Sequence, residues 1–121
     1  MSDPRFGQAV ALFNAGDWYA CHDGFEELWH ECQGPSRKAL QGILQIAVSQ
    51  LHLQRGNLRG ATVLLGEGLG RLQAYGPVQL GLDIDHLRSG AQALLTTLQQ
   101  QRPAETLPAP QLRPAGSREI R

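Results

Sequence analysis

The run Asn14-Ala-Gly-Asp-Trp-Tyr-Ala-Cys-His-Asp-Gly-Phe-Glu-Glu-Leu-Trp-His-Glu-Cys32 decides how this chain folds, because one helix in it carries both a core stripe and a set of polar groups. Asp17 is placed as an N-cap: its carboxylate can accept from the first free backbone N–H groups and suits the positive end of the helix dipole. The helix then starts near Trp18. At about 100° per residue, Trp18, Cys21, Phe25, Leu28, Trp29 and Cys32 fall on one side, the arc that must face a core. His22 and Glu26 lie at the edge of that arc, one turn apart, beside Trp29. Asp23, Glu27, His30 and Glu31 point further round, as solvated surface. An i, i+4 His/Glu pair can put an imidazole nitrogen and a carboxylate on one cation, or it can be an ordinary hydrogen-bonded pair.

Working outward, Phe6, Val10, Leu12 and Phe13 recur at helical intervals, which predicts a short first helix over about 5–13. Gly16 can close the turn after it at positive φ. On the other side, Gln33-Gly-Pro-Ser36 is strong punctuation, with Ser36 placed to cap a third helix over about 37–55. So short a connection makes the flanking helices antiparallel neighbours. The third helix is the most apolar. Leu40, Ile43, Leu44, Ala47, Val48 and Leu51 form one broad face, and Ile46 and Leu53 lie opposite, so it packs on both sides as the central helix.

Between those two apolar patches runs a polar stripe, Gln41, Gln45, Ser49 and His52. Enclosed in this way it is expected to be partly buried, and buried polar groups must find partners. Antiparallel pairing sets His22 level with about 49–52 and Glu26 with about 45–48, so the two polar sets are expected to meet. His22, Glu26 and His52 would then supply two imidazoles and a carboxylate, a set that suits zinc, iron, nickel or manganese and leaves positions open for water. Gln45 could support a ring N–H or a bound water, and Trp29 would be an apolar wall. In the alternative, the same groups form a hydrogen-bond network that only fixes helix register.

After Gly56-Asn57, the residues Leu58, Ala61, Leu65, Leu69 and Leu72 define a fourth helix despite Gly60, Gly66, Gly68 and Gly70. Each interior glycine costs up to about 1 kcal/mol relative to alanine, tolerable where small residues let helices approach closely. The stretch 75–82, with Pro77 and two glycines, is a connector unsuited to regular structure. Asp83 or Asp85 can cap a fifth helix through about 101, with Ile84, Leu87, Ala91, Leu94, Leu95 and Leu98 inward. From 102 onward, Pro103, Pro108, Pro110 and Pro114 interrupt a polar sequence with little to bury. The fold class is therefore all-α: a single-domain bundle of about five helices over 1–101, followed by a flexible Pro-rich tail over 102–121 that is disordered or loosely draped.

At 121 residues the chain is one domain with one modest core. Lys plus Arg equals Asp plus Glu at 11 each, which removes the whole-chain electrostatic case for a nucleic-acid or anionic-membrane partner. Arg55, Arg59 and Arg71 read as a solvated face. The N-terminus has no basic-then-apolar leader, and no stretch approaches the roughly 20 apolar residues that span a bilayer, so a soluble, cytoplasmic protein is expected. Cys21 and Cys32 sit on one helix, about 16 Å apart along its axis, too far for an intramolecular disulfide. Both read as small core residues in a reducing compartment.

His22-x3-Glu26-x2-Trp29 is preceded by Phe13-Asn-x-Gly16-Asp-Trp-Tyr19 and followed by Leu40-Gln-Gly-Ile-Leu-Gln-Ile-Ala47, His52 and Gly56-Asn-x2-Gly-Ala61. In that order these blocks resemble the family known as domain of unknown function 309, small helical prokaryotic proteins with an HxxxExxW motif. The resemblance spans about residues 6–75. It implies an all-helical fold and a suspected metal-binding role for His22, Glu26 and Trp29, and it supplies no substrate. Asp23 stands where such proteins often carry a second acid, commonly Glu.

Two function classes follow. The first is a divalent-metal site from His22, Glu26 and His52, with hydrolysis by a metal-activated water as the least exotic chemistry. No Gly-rich phosphate loop or recognisable nucleophile setting points to another enzyme class. The second is a non-enzymatic interaction module built of short helical hairpins, which predicts an exposed apolar groove and indifference to chelators. Self-association is a variant of the second, through the glycine-rich fourth helix or the fifth.

Overall fold

The computed structural model describes residues 3–104 and 107–116, and among them five helices follow in order: α1 (Pro4–Asn14), α2 (Trp18–Glu31), α3 (Pro35–Gln54), α4 (Leu58–Leu72) and α5 (Ile84–Gln99). The expected helical fold is observed. Three-residue turns, 15–17, 32–34 and 55–57, reverse the chain between the first four helices, too short to let any helix travel elsewhere. Helix packing accordingly runs between sequence neighbours, α1 on α2, α2 on α3, α3 on α4 and α4 on α5, and is most extensive between α3 and α4. No helix among the described residues is long and apolar enough to cross a membrane.

Side-chain caps start four of the helices. The carboxylates of Asp3, Asp17 and Asp83 and the amide oxygen of Asn57 accept from the N–H groups of Arg5, Ala20, His86 and Gly60. Helix α3 departs from expectation, because Gly34 at φ 71° is the cap residue and Pro35 opens the helix, without any side-chain cap from Ser36. Proline at the first helical position lacks an N–H that would have had no partner in any case.

Four aromatic rings build the α1–α2 half of the core edge to face: Phe13 on Trp18 with centroids 5.0 Å apart, Phe6 on Phe25 at 6.1 Å and Phe13 on Phe25 at 6.4 Å. Such pairs add about 0.5–1.5 kcal/mol beyond the area they bury. In α3, Leu40, Ile43, Ile46 and Ala47 are all fully buried, as a helix packed on both sides requires. Its crossing with α4 depends on glycine. A Cβ on Gly68 would stand 2.7 Å from the Gly42 carbonyl oxygen, whereas Gly66 and Gly70 face open space.

Two parts of the chain differ from their sequence reading. The connector contains a minimal antiparallel hairpin, β1 (Val78–Gln79) with β2 (Leu82–Asp83), pairing Val78 with Asp83 and Gln79 with Leu82. Its turn residues Leu80 and Gly81 both have positive φ, 58° and 72°, the geometry that matches strand twist. Leucine is not a residue that announces such a turn. Arg88 of α5 secures the connector, donating to the carbonyl oxygens of Leu72 and Tyr75 at 2.7 Å each and pairing with Asp85.

The second difference narrows the expected flexible tail. Residues 107–116 lie against the folded body, and Leu112 is buried in the core at 1% exposure. Prolines and polar residues gave no periodicity to read, but one leucine with a matching cavity and a row of backbone partners suffices to dock an extended segment. Residues 105, 106 and 117–121 of that tail lie outside the described residues.

Candidate functional site

The polar edge of α2 forms as its spacing dictates. His22 Nε2 lies 3.4 Å from Glu26 Oε2, one turn on, and His22 Nδ1 lies 3.3 Å from Asp23 Oδ1. Both ring nitrogens therefore face carboxylates. The imidazole side chain is one-quarter exposed, while Glu26 and Asp23 are much more open to water. Trp29 is half-buried, and the Arg37 guanidinium sits 3.9 Å over its ring, an arrangement worth about 0.5–1 kcal/mol at an exposed site. Arg37 also donates to the Cys32 carbonyl oxygen, so α3 grips the end of α2 through this stacked pair.

On the α3 stripe, Gln45 is engaged by α4. Gln45 Nε2 donates to Glu67 Oε1 at 3.0 Å, and Gln45 Oε1 accepts from Arg71 Nε at 2.8 Å. Ser49 is fully buried, donating to the Ile46 carbonyl oxygen and accepting from Gln50. His52 Nδ1 lies 3.1 Å from Asn57 Nδ2. Because the Asn57 amide oxygen is committed to the Gly60 N–H at the α4 cap, its nitrogen is the end that faces His52 and donates to the bare Nδ1. His52 thus serves the α3–α4 turn.

His22 and Glu26 are brought together, whereas Gln45 and His52 are engaged by α4 and by the turn before it. Among the described residues, no three His, Cys, Asp or Glu side chains form a group that could hold a metal ion. A metal on α2 would have the two donors of His22 and Glu26, each already facing the other. Among the described residues the arrangement does not make a preformed three-donor site.

A second feature is larger. Between the C-terminal half of α3, the start of α4 and the end of α5 lies a groove of about 970 Å³, whose described lining includes Leu53, Leu58, Val63, Leu94, Leu98 and Leu107. Leu58 and Val63 are 57% and 52% exposed. The charged residues of the described lining are Arg59 and Arg102. Leu58, whose spacing with Ala61, Leu65, Leu69 and Leu72 defines α4, stands at the lip of the groove while those four are buried. The available signal was Val63, an apolar residue outside that stripe.

These features define a class: a chain of antiparallel helical hairpins with a polar-edged second helix and an apolar groove at one end. Residues 6–64, α1 through the first half of α4, match the model of the family described as "Domain of unknown function (DUF309)", which shows the family resemblance over that stretch. The chain is also 36% identical over 73 residues to the uncharacterised protein YpuF of Bacillus subtilis strain 168, covering 60% of this chain and 42% of YpuF. The match therefore spans about two-fifths of the length of that relative.

Proposed function

We propose that this protein is a non-enzymatic helical interaction module whose groove seats an amphipathic partner helix with acidic residues beside its apolar face. The observation that carries the reading is the groove itself, with Leu58 and Val63 held more than half exposed at its lip. A helix laid in such a groove buries anchors at i, i+3, i+4 and i+7. Arg59 and Arg102, the charged groups of the described lining, favour carboxylates at its edge. The polar groups on α2 and α3 fit this reading as structural pairs: Gln45 bridges Glu67 and Arg71, and His52 supports the α4 cap. Fluorescence anisotropy with an acidic-flanked amphipathic 18-residue helix and its lysine-flanked counterpart tests it. Saturable binding of the acidic peptide that Val63→Asp abolishes and EDTA leaves unchanged is the expected result. Equal binding of both peptides, or none, overturns it.

A second reading is favoured by the 3.4 Å approach of His22 to Glu26. There, a divalent cation such as zinc, iron, nickel or manganese binds this pair, with further donors from outside the described groups or from His52 after it leaves Asn57. Elemental analysis of gently purified protein beside His22→Ala and Glu26→Gln decides the matter. Near-stoichiometric metal lost in both variants supports this reading, and metal-free protein after reloading rejects it.

A further inference from the structure

The outer edge of the β1–β2 hairpin is paired by the chain's own C-terminal segment. The Asp83 N–H donates to the Arg113 carbonyl oxygen and the Ala115 N–H to the Gly81 carbonyl oxygen, both at 2.8 Å, flanking an antiparallel bridge between Leu82 and Pro114. In that pattern the residue at the bridge uses neither its N–H nor its C=O toward the partner, so a proline fits there without losing a bond. Two residues earlier, the side-chain amide of Asn14 at the end of α1 grips the segment's backbone in both directions. Asn14 Nδ2 donates to the Leu112 carbonyl oxygen and Asn14 Oδ1 accepts from the Leu112 N–H, each at 2.7 Å. The Leu112 side chain is 1% exposed, and Pro110 is buried beside it.

This is how proteins read an extended peptide: strand addition and an amide clamp hold the main chain, while pockets for alternate side chains supply specificity. The prolines at 110 and 114 also hold their neighbours in extended geometry, which lowers the ordering cost of docking. The segment is held by the Leu112 side chain, by Pro110 and by a few hydrogen bonds, and it belongs to no helix, so it can lift while the helices remain folded. We infer that the cleft between the end of α1 and the β2 edge is a binding site for an extended Pro-x-Leu-x-Pro segment, filled in cis by residues 110–114 and open to the same kind of segment from a partner protein when they release. The cleft adjoins the helical groove proposed above, whose wall includes residues 107–109, and is distinct from it in the residues that hold 110–114.

The test uses the full chain with Leu112→Asp, whose own segment cannot seat a carboxylate in the core, and a fluorescent peptide of the sequence Pro-Gln-Leu-Arg-Pro-Ala-Gly, residues 110–116, which omits the groove-lining residues 107–109. Saturable binding to the variant is expected, at least tenfold weaker to the wild type, whose site is occupied, and at least tenfold weaker when Asn14→Ala is added. Val63→Asp should leave this binding unchanged, which separates it from the groove. If Leu112→Asp is unfolded, saturating peptide should restore its helical circular dichroism. A folded variant that ignores the peptide, equal binding to wild type, indifference to Asn14→Ala, or an unfolded variant that the peptide fails to restore would each overturn the inference.

Discussion

Cys21 lies within α2, whereas Cys32, expected on the same helix, caps its end in extended backbone (φ −92°, ψ 151°), and the two belong to different environments. Burial, assisted by the Asp17 carboxylate, pushes the Cys21 thiol up to about 12, so it stays neutral and unreactive in the folded protein. Cys32, at the end of α2, is half-buried. Iodoacetamide at pH 8 should therefore label Cys32 and spare Cys21 until denaturant is added, as read by peptide mass spectrometry. Labelling of both at equal rates would contradict the burial of Cys21. Arg5 offers a second test. It reaches Asp3, Glu27 and Glu31 at 2.7 Å each, tying α1 to α2. Hydrogen bonds from Arg5 hold the Asp3 and Glu31 carboxyls below their ordinary values of 3.8 and 4.5. A lowered acid pKa stabilises the fold above the unfolded value, and that contribution is lost as pH falls through the folded one. The melting temperature of the wild type should drop below about pH 4.5, and Arg5→Gln should flatten that acid arm. Parallel profiles for the two proteins would show that the cluster contributes nothing.

At the scale of elements, the glycines of α4 do not share one purpose. Gly68 lies against the Gly42 carbonyl oxygen and Ile46, while nothing approaches within 4 Å of a Cβ built on Gly70. Gly68→Ala should destabilise by about 1–3 kcal/mol, since backbone must move to admit the methyl group. Gly70→Ala should stabilise by up to about 1 kcal/mol through helix propensity alone. Urea melts of the two variants check both signs, and a stabilising Gly68→Ala would mean that α3 and α4 do not touch there. The same crossing sets the partners of Gln45 in the α3 polar stripe. Helix α3 packs most extensively with α4, and Gln45 follows that contact to Glu67 and Arg71.

Across the whole molecule, helices packed in sequence order leave the ends of the array to be closed by something else. The segment 107–116 does this at one side, tying α1 through Asn14 to the hairpin before α5. Asn14→Ala should therefore accelerate amide exchange at Leu112 and Ala115 by at least tenfold while the amides of α3 keep their protection. Hydrogen exchange read by mass spectrometry measures this directly, and uniform acceleration across the chain would mean the segment opens only with global unfolding.

Sequence alone determined the helices. Their positions follow from local rules that act within a turn or two: apolar period, Asp17, Asn57 and Asp83 as caps, and glycine turns too short to allow other neighbours. The His22–Glu26 pair was legible for the same reason, being one turn of one helix. Only the tertiary structure decided which way the polar stripe of α3 turned, that His52 would face Asn57, that Leu58 would reach solvent and that Leu112 would be buried. Those outcomes depend on helix rotation at a close glycine crossing and on contacts between residues about a hundred positions apart. Neither the spacing of residues along a helix nor a Pro-rich composition encodes them.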